Sequence, residues 1–559
     1  MHPLVLFFFF TACLASKYCP LLGPVFPAAK HLSDSESFAA AKIHLSNTLD
    51  KAIKTSSILN SNTTSLSLQL FSTNDVDPLL EYYYTAPIIQ NATTGVTKVD
   101  ADSVFRIGSV TKVLTILVLL VEEGDAIFHE PITKYIPELR NAGVADDEID
   151  SVRWDEVTIG ELASQLSGIG RDYGFIDLSR FLPESQQRAL GLPALPENEI
   201  PPCGSLRICT RAQFFEGMTK EHPAFPTSST PVYSNAAYEI LAFALEDMKN
   251  QSFESLLQRD IINPLHLHGT TYSKPHDKYG VIPRDPTSSF WDTDLGNVSA
   301  AGSVYSTATD MAALGRAILK STLLPKPMTR RWLKPASHTS SLDLAVGWPW
   351  EILSFNQSRT LDLYTKLGDV GDYSAVFALS PEYGFGFIAM VAGDDSSDVT
   401  RQVADVVSNA ALPALEDAAR EEACCRFSGE YATDQANSSI SITADDGPGL
   451  KVEHWINNST DMFDSLKTLA QPIQLSNVSI RLYPTGLETK NRVSFRAITV
   501  DPFAPPGLGP VTSSCWSWVL IDRNLYGSVG LDEFVFDVDD EGNAVAVTPR
   551  GLRVSLERV

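Results

Sequence analysis

A change of hydrophobic period near residue 421 divides the 559-residue chain and constrains its fold more than any other feature. Upstream, the apolar spacing alternates between helical and strand-like. A stripe of Phe38, Ala39, Ile43 and Leu49 predicts a helix over 35–53, and the polar run 60–64 turns the chain into the alternating SLSLQLF of 65–71. A short strand at 104–107 runs into a helix over 109–122, and further helices are expected at 159–165, 212–218, 235–248 and 307–320. Strands follow at 362–366, 374–379 and 386–391, then a helix over 396–419. Downstream, ISITA, VSIRLYP, VSFRAITV, CWSWVLID, FVFDV, AVAVTP and LRVSL all alternate, as short strands of an antiparallel sandwich or barrel do. The expected organisation is therefore an α+β domain over 17–420 and an all-β domain over 421–559.

The first sixteen residues, MHPLVLFFFFTACLAS, are an apolar core followed by small residues and predict a cleaved signal peptide. The longest later apolar run, from Val113 to Val121, is too short for a membrane helix. Nine N-x-S/T sequons, at Asn62, Asn91, Asn250, Asn297, Asn356, Asn437, Asn457, Asn458 and Asn477, agree with a secreted glycoprotein. Of the seven cysteines, Cys13 lies in the leader, which leaves six for disulfides in an oxidising compartment. Cys203 and Cys209 bracket a short loop and are the expected pair; Cys19, Cys424, Cys425 and Cys515 cannot be paired from spacing. With 43 basic against 68 acidic residues, the net charge of −25 excludes nucleic acid and anionic lipid as electrostatic partners. Cys and His spacing gives no zinc pattern, and His266 and His268 read as loop residues. The acidic run 537–544 starts like a calcium loop but has Thr548 where a glutamate is needed, so it reads as a hairpin turn.

Three local patterns carry chemistry. In FRIGSVTK, Ser109 and Lys112 lie three apart at a helix start, so a lysine of depressed pKa could activate the hydroxyl. In PVYSNAAYE, Tyr233 and Asn235 share a turn from which a phenol can relay protons and an amide can hold a lysine and a substrate. In YTKLGD, Lys366 and Gly368 open a strand, the glycine leaving room for close backbone approach.

In this order and spacing the three resemble the S-x-x-K, Y-x-N and K-T-G triplet of serine β-lactamases and penicillin-binding proteins, in the form of the class C and esterase branch. GDAIFHEPITKYIPEL, VTIGELASQLSGIG and AAGSVYSTATDMAALGRAIL are also similar to segments of that family. The resemblance covers about 30–420, and the C-terminal part is similar to accessory domains of secreted fungal β-lactamase-like proteins. It implies a β-lactamase/transpeptidase-like fold without cofactor or metal. It further implies Ser109 as acylated nucleophile, Lys112 and Tyr233 as proton carriers, Asn235 and Lys366 as substrate-binding residues, and an oxyanion hole from the N–H groups of Ser109 and Asp369, with Gly368 between. Leu367 departs from the family threonine and removes a hydroxyl for a substrate carboxylate, and Asp369 adds a negative charge nearby. Ester or peptide-like amide cleavage is thus expected over β-lactam hydrolysis. An acyltransferase of natural-product biosynthesis and a non-enzymatic binding protein are the alternatives; an α/β-hydrolase is not, because G-x-S-x-G is absent. The partner expected is a small or peptide-like substrate, and nothing in the sequence bears on oligomeric state.

Overall fold

The computed structural model describes residues 18–559 apart from 141, 143–146, 205–206, 357–358, 470–474 and 506. The expected leader and the end of the Asn356 sequon lie outside the described residues. The chain forms two compact units: Ala40–Phe355 with Asp362–Ala411, and the segment ending at Ala39 with Asn356–Leu361 and Leu412–Val559.

The first unit is built on an eight-stranded antiparallel sheet. Its strands in chain order are β1 (Ser65–Ser72), β2 (Leu80–Tyr84), β3 (Ser337–His338), β4 (Leu344–Val346), β5 (Glu351–Asn356), β6 (Thr360–Val370), β7 (Tyr373–Ser380) and β8 (Phe385–Ala392), arranged β2-β1-β8-β7-β6-β5-β4-β3. Every residue of β1, β7 and β8 is buried, which is why β7 and β8 read as near-continuous apolar runs. Two long helices position the site residues. Helix α1 (Thr111–Glu123) is buried from Thr111 to Leu120, as its all-round apolar sequence requires. Helix α2 (Ala236–Lys249) buries the face carrying Ala237, Ile240, Leu241 and Ala244. The short helix Ser299–Gly302 packs against both, and α3 (Ala308–Lys320) packs on β1 and β8.

The second unit closes into a barrel, not a sandwich. Its strands are β9 (Gly429–Thr433), β10 (Ser438–Thr443), β11 (Leu450–Asn457), β12 (Ser479–Thr489), β13 (Arg492–Val500), β14 (Glu533–Val538), β15 (Ala544–Pro549) and β16 (Leu556–Arg558). They run β10-β9-β16-β15-β14-β13-β12-β11, and pairing of β11 back onto β10 closes the ring. Closure leaves no open edge among these strands. Inside, Phe536 meets Phe427 and Phe495 at ring separations of 5.1 and 5.2 Å, and Trp455 meets Phe534 at 5.2 Å.

Three expectations need correction. CWSWVLID is not a strand: Ser517–Leu520 is a helical turn, and Cys515 just before it is bonded to Cys19. That bond, with Ser517 Oγ donating to the Pro20 carbonyl (3.2 Å), ties the N-terminal arm into the second unit and away from the expected first domain. The helix expected to stop at 419 runs from Ser396 to Phe427, straight through the expected boundary, because Ala414, Ala418, Ala419 and Ala423 are strong helix formers. The acidic run 537–544 joins β14 to β15 as a hairpin turn. Cys203 and Cys209 are bonded to each other, and Cys424 and Cys425 are free and exposed. Among the described residues, no helix is long and apolar enough to cross a membrane. Sequon residues Asn62, Asn91, Asn250, Asn437, Asn458 and Asn477 are exposed; Asn297 and Asn457 are half-buried, and the side-chain Oδ1 of Asn297 accepts the Cys209 N–H (2.8 Å).

Candidate active site

Ser109 sits in a tight turn, Gly108–Val110, that feeds directly into α1. Lys112, the second residue of α1, is fully buried, and its ammonium spends three donors inside the protein: on Ser109 Oγ (3.0 Å), Asn235 Oδ1 (2.7 Å) and the Ala301 carbonyl (3.0 Å). Burial pulls this lysine down to about 8, since a charged amine is poorly solvated there.

Tyr233 reaches the same oxygen from the other side, its hydroxyl donating to Ser109 Oγ at 2.7 Å. The turn that carries it is fixed to the preceding loop. Ser234 donates its N–H to Gln165 Oε1 (2.6 Å) and its hydroxyl to the Gly170 carbonyl (2.7 Å), and the Asn235 N–H donates to the Arg171 carbonyl (2.8 Å). Burial raises the Tyr233 phenol, but the charges of Lys112 and then Lys366 outweigh it and bring the group to about 8. Asn235 bridges the site: its oxygen accepts from Lys112 while its amide nitrogen donates to Asp172 Oδ1 (2.9 Å).

Strand β6 brings the third pattern alongside. Lys366 is 1% exposed, donates to Glu351 and to the Leu367 carbonyl (2.8 Å), and stands 5.2 Å from the centre of the Tyr233 ring. Burial works against its ammonium, and Glu351 reverses this, holding it above the usual lysine value. Asp369 pairs with Ser374 across β6 and β7; its carboxylate accepts from Ser374 Oγ (2.7 Å) and meets Arg401 (3.1 Å). Arg401 thus offsets part of the Asp369 charge, which weakens the expected repulsion of a substrate carboxylate.

Gly368 also admits a close approach of protein backbone. A Cβ there would lie 2.1 Å from the Ile107 carbonyl oxygen and 2.6 Å from Ser109 N, and a Cβ at Gly108 would lie 2.6 Å from Asp369 N. The two glycines let the Ser109 turn press against β6, so the close approach is between two stretches of protein backbone. It brings the N–H groups of Ser109 and Asp369 to one junction. Gly368→Ala is expected to displace that turn and lower kcat/KM at least about a hundredfold, since small misplacements of a reacting group have costs of this order. Steady-state kinetics with circular dichroism as a folding control checks this; a fully active variant would show that the junction is not a determinant.

The fold, with this cluster of hydroxyls and lysines, is β-lactamase-like, and the comparisons agree. Residues 75–411 match the family model described as Beta-lactamase, and residues 419–559 match the one described as Beta-lactamase-like-like, C-terminal domain. The chain belongs to the beta-lactamase family. It is 32% identical to the "Beta-lactamase-like protein" of Arthroderma benhamiae over 96% of this chain and 95% of that protein. It is 24% identical to "Probable hydrolase M10" of a Phoma species, over 93% and 89% respectively. With the "D-alanyl-D-alanine-carboxypeptidase/endopeptidase AmpH" of Escherichia coli it shares 23% identity, over 52% of this chain and 71% of that protein.

The five polar side chains read from the sequence, Ser109, Lys112, Tyr233, Asn235 and Lys366, thus meet in one cluster. Glu351, Asp172 and Arg401 were not among them. Glu351 carries the one signal that was available, an acid fifteen residues before a lysine where a hairpin returns the chain.

Proposed function

We propose that this protein is a secreted serine hydrolase that forms an acyl-enzyme on Ser109 and cleaves esters or peptide-like amides. The observation that carries the reading is convergence: Lys112 Nζ and Tyr233 Oη both lie within 3.0 Å of one serine oxygen. Either group, once deprotonated, accepts the Ser109 proton as Oγ bonds to the substrate carbonyl carbon. The oxyanion so formed accepts from the N–H groups of Ser109 and Asp369. Collapse breaks the bond to the leaving alcohol or amine, which takes the proton back from the Lys112–Tyr233 pair. Water then repeats the sequence against the acyl-enzyme and releases the acid. The name of the Escherichia coli relative supports keeping peptide-like amides in the substrate class. Secretion and N-glycosylation rest on the leader and the sequons, with the two disulfides in support.

Leu367 supplies no hydroxyl to a substrate carboxylate, and a missing hydrogen bond to a charged group is worth about 1.5 to 3 kcal/mol, or roughly ten- to a hundredfold. A chromogenic butyrate ester is therefore expected to be turned over with higher kcat/KM than a chromogenic cephalosporin. The test pairs this comparison with a fluorophosphonate probe and peptide mapping. An adduct on the Ser109 peptide and preference for the ester are the expected results; an adduct on another serine, or faster cephalosporin turnover, contradicts the proposal.

A further inference from the structure

Lys366 is the residue to which a substrate carboxylate would be drawn, yet its charge is already met from within. Glu351, the first residue of β5, lies beside Lys366 on the neighbouring strand β6. One of its carboxylate oxygens accepts from Lys366 Nζ, and the other accepts from the backbone N–H of Leu367 at 2.9 Å. The ammonium also donates to the Leu367 carbonyl (2.8 Å) and stands 5.2 Å from the centre of the Tyr233 ring, so two of its three protons are already held by protein oxygens.

The other cations nearby also have partners, although Arg171 and Arg401 are far more exposed than Lys366. Arg171, whose guanidinium covers the Tyr233 ring at 4.8 Å, has Asp172 at 3.6 Å, and Arg401 has Asp369 at 3.1 Å. Lys112 is saturated by Ser109, Asn235 and Ala301. An anionic substrate group entering beside Lys366 must either displace Glu351 or share its cation while standing against a second carboxylate. Both are unfavourable at short range in a poorly solvated site.

We infer that Glu351 is a built-in counter-ion of Lys366 and a specificity-determining positioning residue, restricting the site to acyl groups that carry no carboxylate toward Lys366. The inference rests on the acyl-enzyme reading above and deepens it by naming the substrate class: neutral esters and amides. Glu351 acts through Lys366 and Leu367, not on the reacting atoms, so its signature is selectivity and not rate alone.

The experiment compares 4-nitrophenyl valerate with mono-4-nitrophenyl glutarate, acyl chains matched in length and differing in a terminal methyl or carboxylate. For the unmodified protein, kcat/KM for the valerate is expected to exceed that for the glutarate at least about tenfold. Glu351→Gln keeps the shape and removes the charge, and is expected to shift the glutarate-to-valerate ratio at least about tenfold toward the anion, mainly through the KM of the glutarate. Glu351→Asp restores the charge and is expected to move the ratio back. Equal or faster glutarate turnover by the unmodified protein overturns the inference whether or not a variant folds. An unchanged ratio in Glu351→Gln also overturns it, provided the variant still takes the neutral fluorophosphonate on Ser109. Failure of the unmodified protein to take that probe on Ser109 would instead defeat the acyl-enzyme reading, so the two failures are distinguishable.

Discussion

Ser109→Ala is expected to lower kcat/KM for a chromogenic butyrate ester by about ten-thousandfold or more, while the protein stays folded. The size follows from the chemistry: without Oγ no acyl-enzyme forms, and a group that acts as a unit with its base takes most of the rate enhancement with it. The folding expectation follows from the hydrogen bonds. Lys112 loses one of three acceptors but keeps Asn235 Oδ1 and the Ala301 carbonyl, so its buried ammonium is not left without partners. Tyr233 gives up its bond to Ser109 but remains between the charges of Lys112, at 4.9 Å from its ring centre, and Lys366. The check is steady-state kinetics on purified protein with a thermal melt alongside. A variant that keeps a tenth of the activity, with a melt like that of the unmodified protein, would remove Ser109 from the mechanism.

What could be read from the sequence was what short segments encode. Ser109 and Lys112 share one helix start, and Tyr233 and Asn235 share one turn, so their types and spacing already state a local geometry. Their meeting does not follow from spacing: it depends on the loop at 165–171 holding the Tyr233 turn and on Gly108 and Gly368 admitting β6. Glu351 opens a strand fifteen residues before Lys366, a spacing that places it beside the lysine only once the pairing of β5 with β6 is known. Asp172 and Arg401 likewise gain their meaning only from tertiary partners. The same limit explains the second unit. A period of two is common to sandwiches and barrels, and what separates them is the pairing of β10 with β11 that closes the ring. CWSWVLID shows that alternation without a ladder partner does not make a strand, and the helix running to Phe427 shows that alanines carry a helix past a change of composition.

Lys112→Met is expected to lower kcat/KM about a thousandfold, within the range attributable to a positioned general base, and to remove the alkaline rise of the pH profile. In the unmodified protein, Lys112 and Tyr233 both fall to about 8, the lysine through burial and the tyrosine because the two lysine charges outweigh its own burial. Acylation needs one of the pair deprotonated, so the active fraction grows with pH. The rate should climb through an apparent midpoint near 8 that belongs to the pair and not to either residue. Two pH units below that midpoint, about one part in a hundred of the plateau should remain. Methionine fills much of the space of the lysine stem but accepts no proton. It also removes the charge that holds the Tyr233 phenol down, so the tyrosine should move upward and cease to serve as base near neutrality. The measurement is kcat/KM for a neutral ester whose leaving group does not titrate across the range, taken from pH 5 to 10 for both proteins. A Lys112→Met variant that keeps the midpoint of the unmodified protein would mean that the titrating base lies outside this pair, and the assignment of proton transfer to Lys112 and Tyr233 would fall with it.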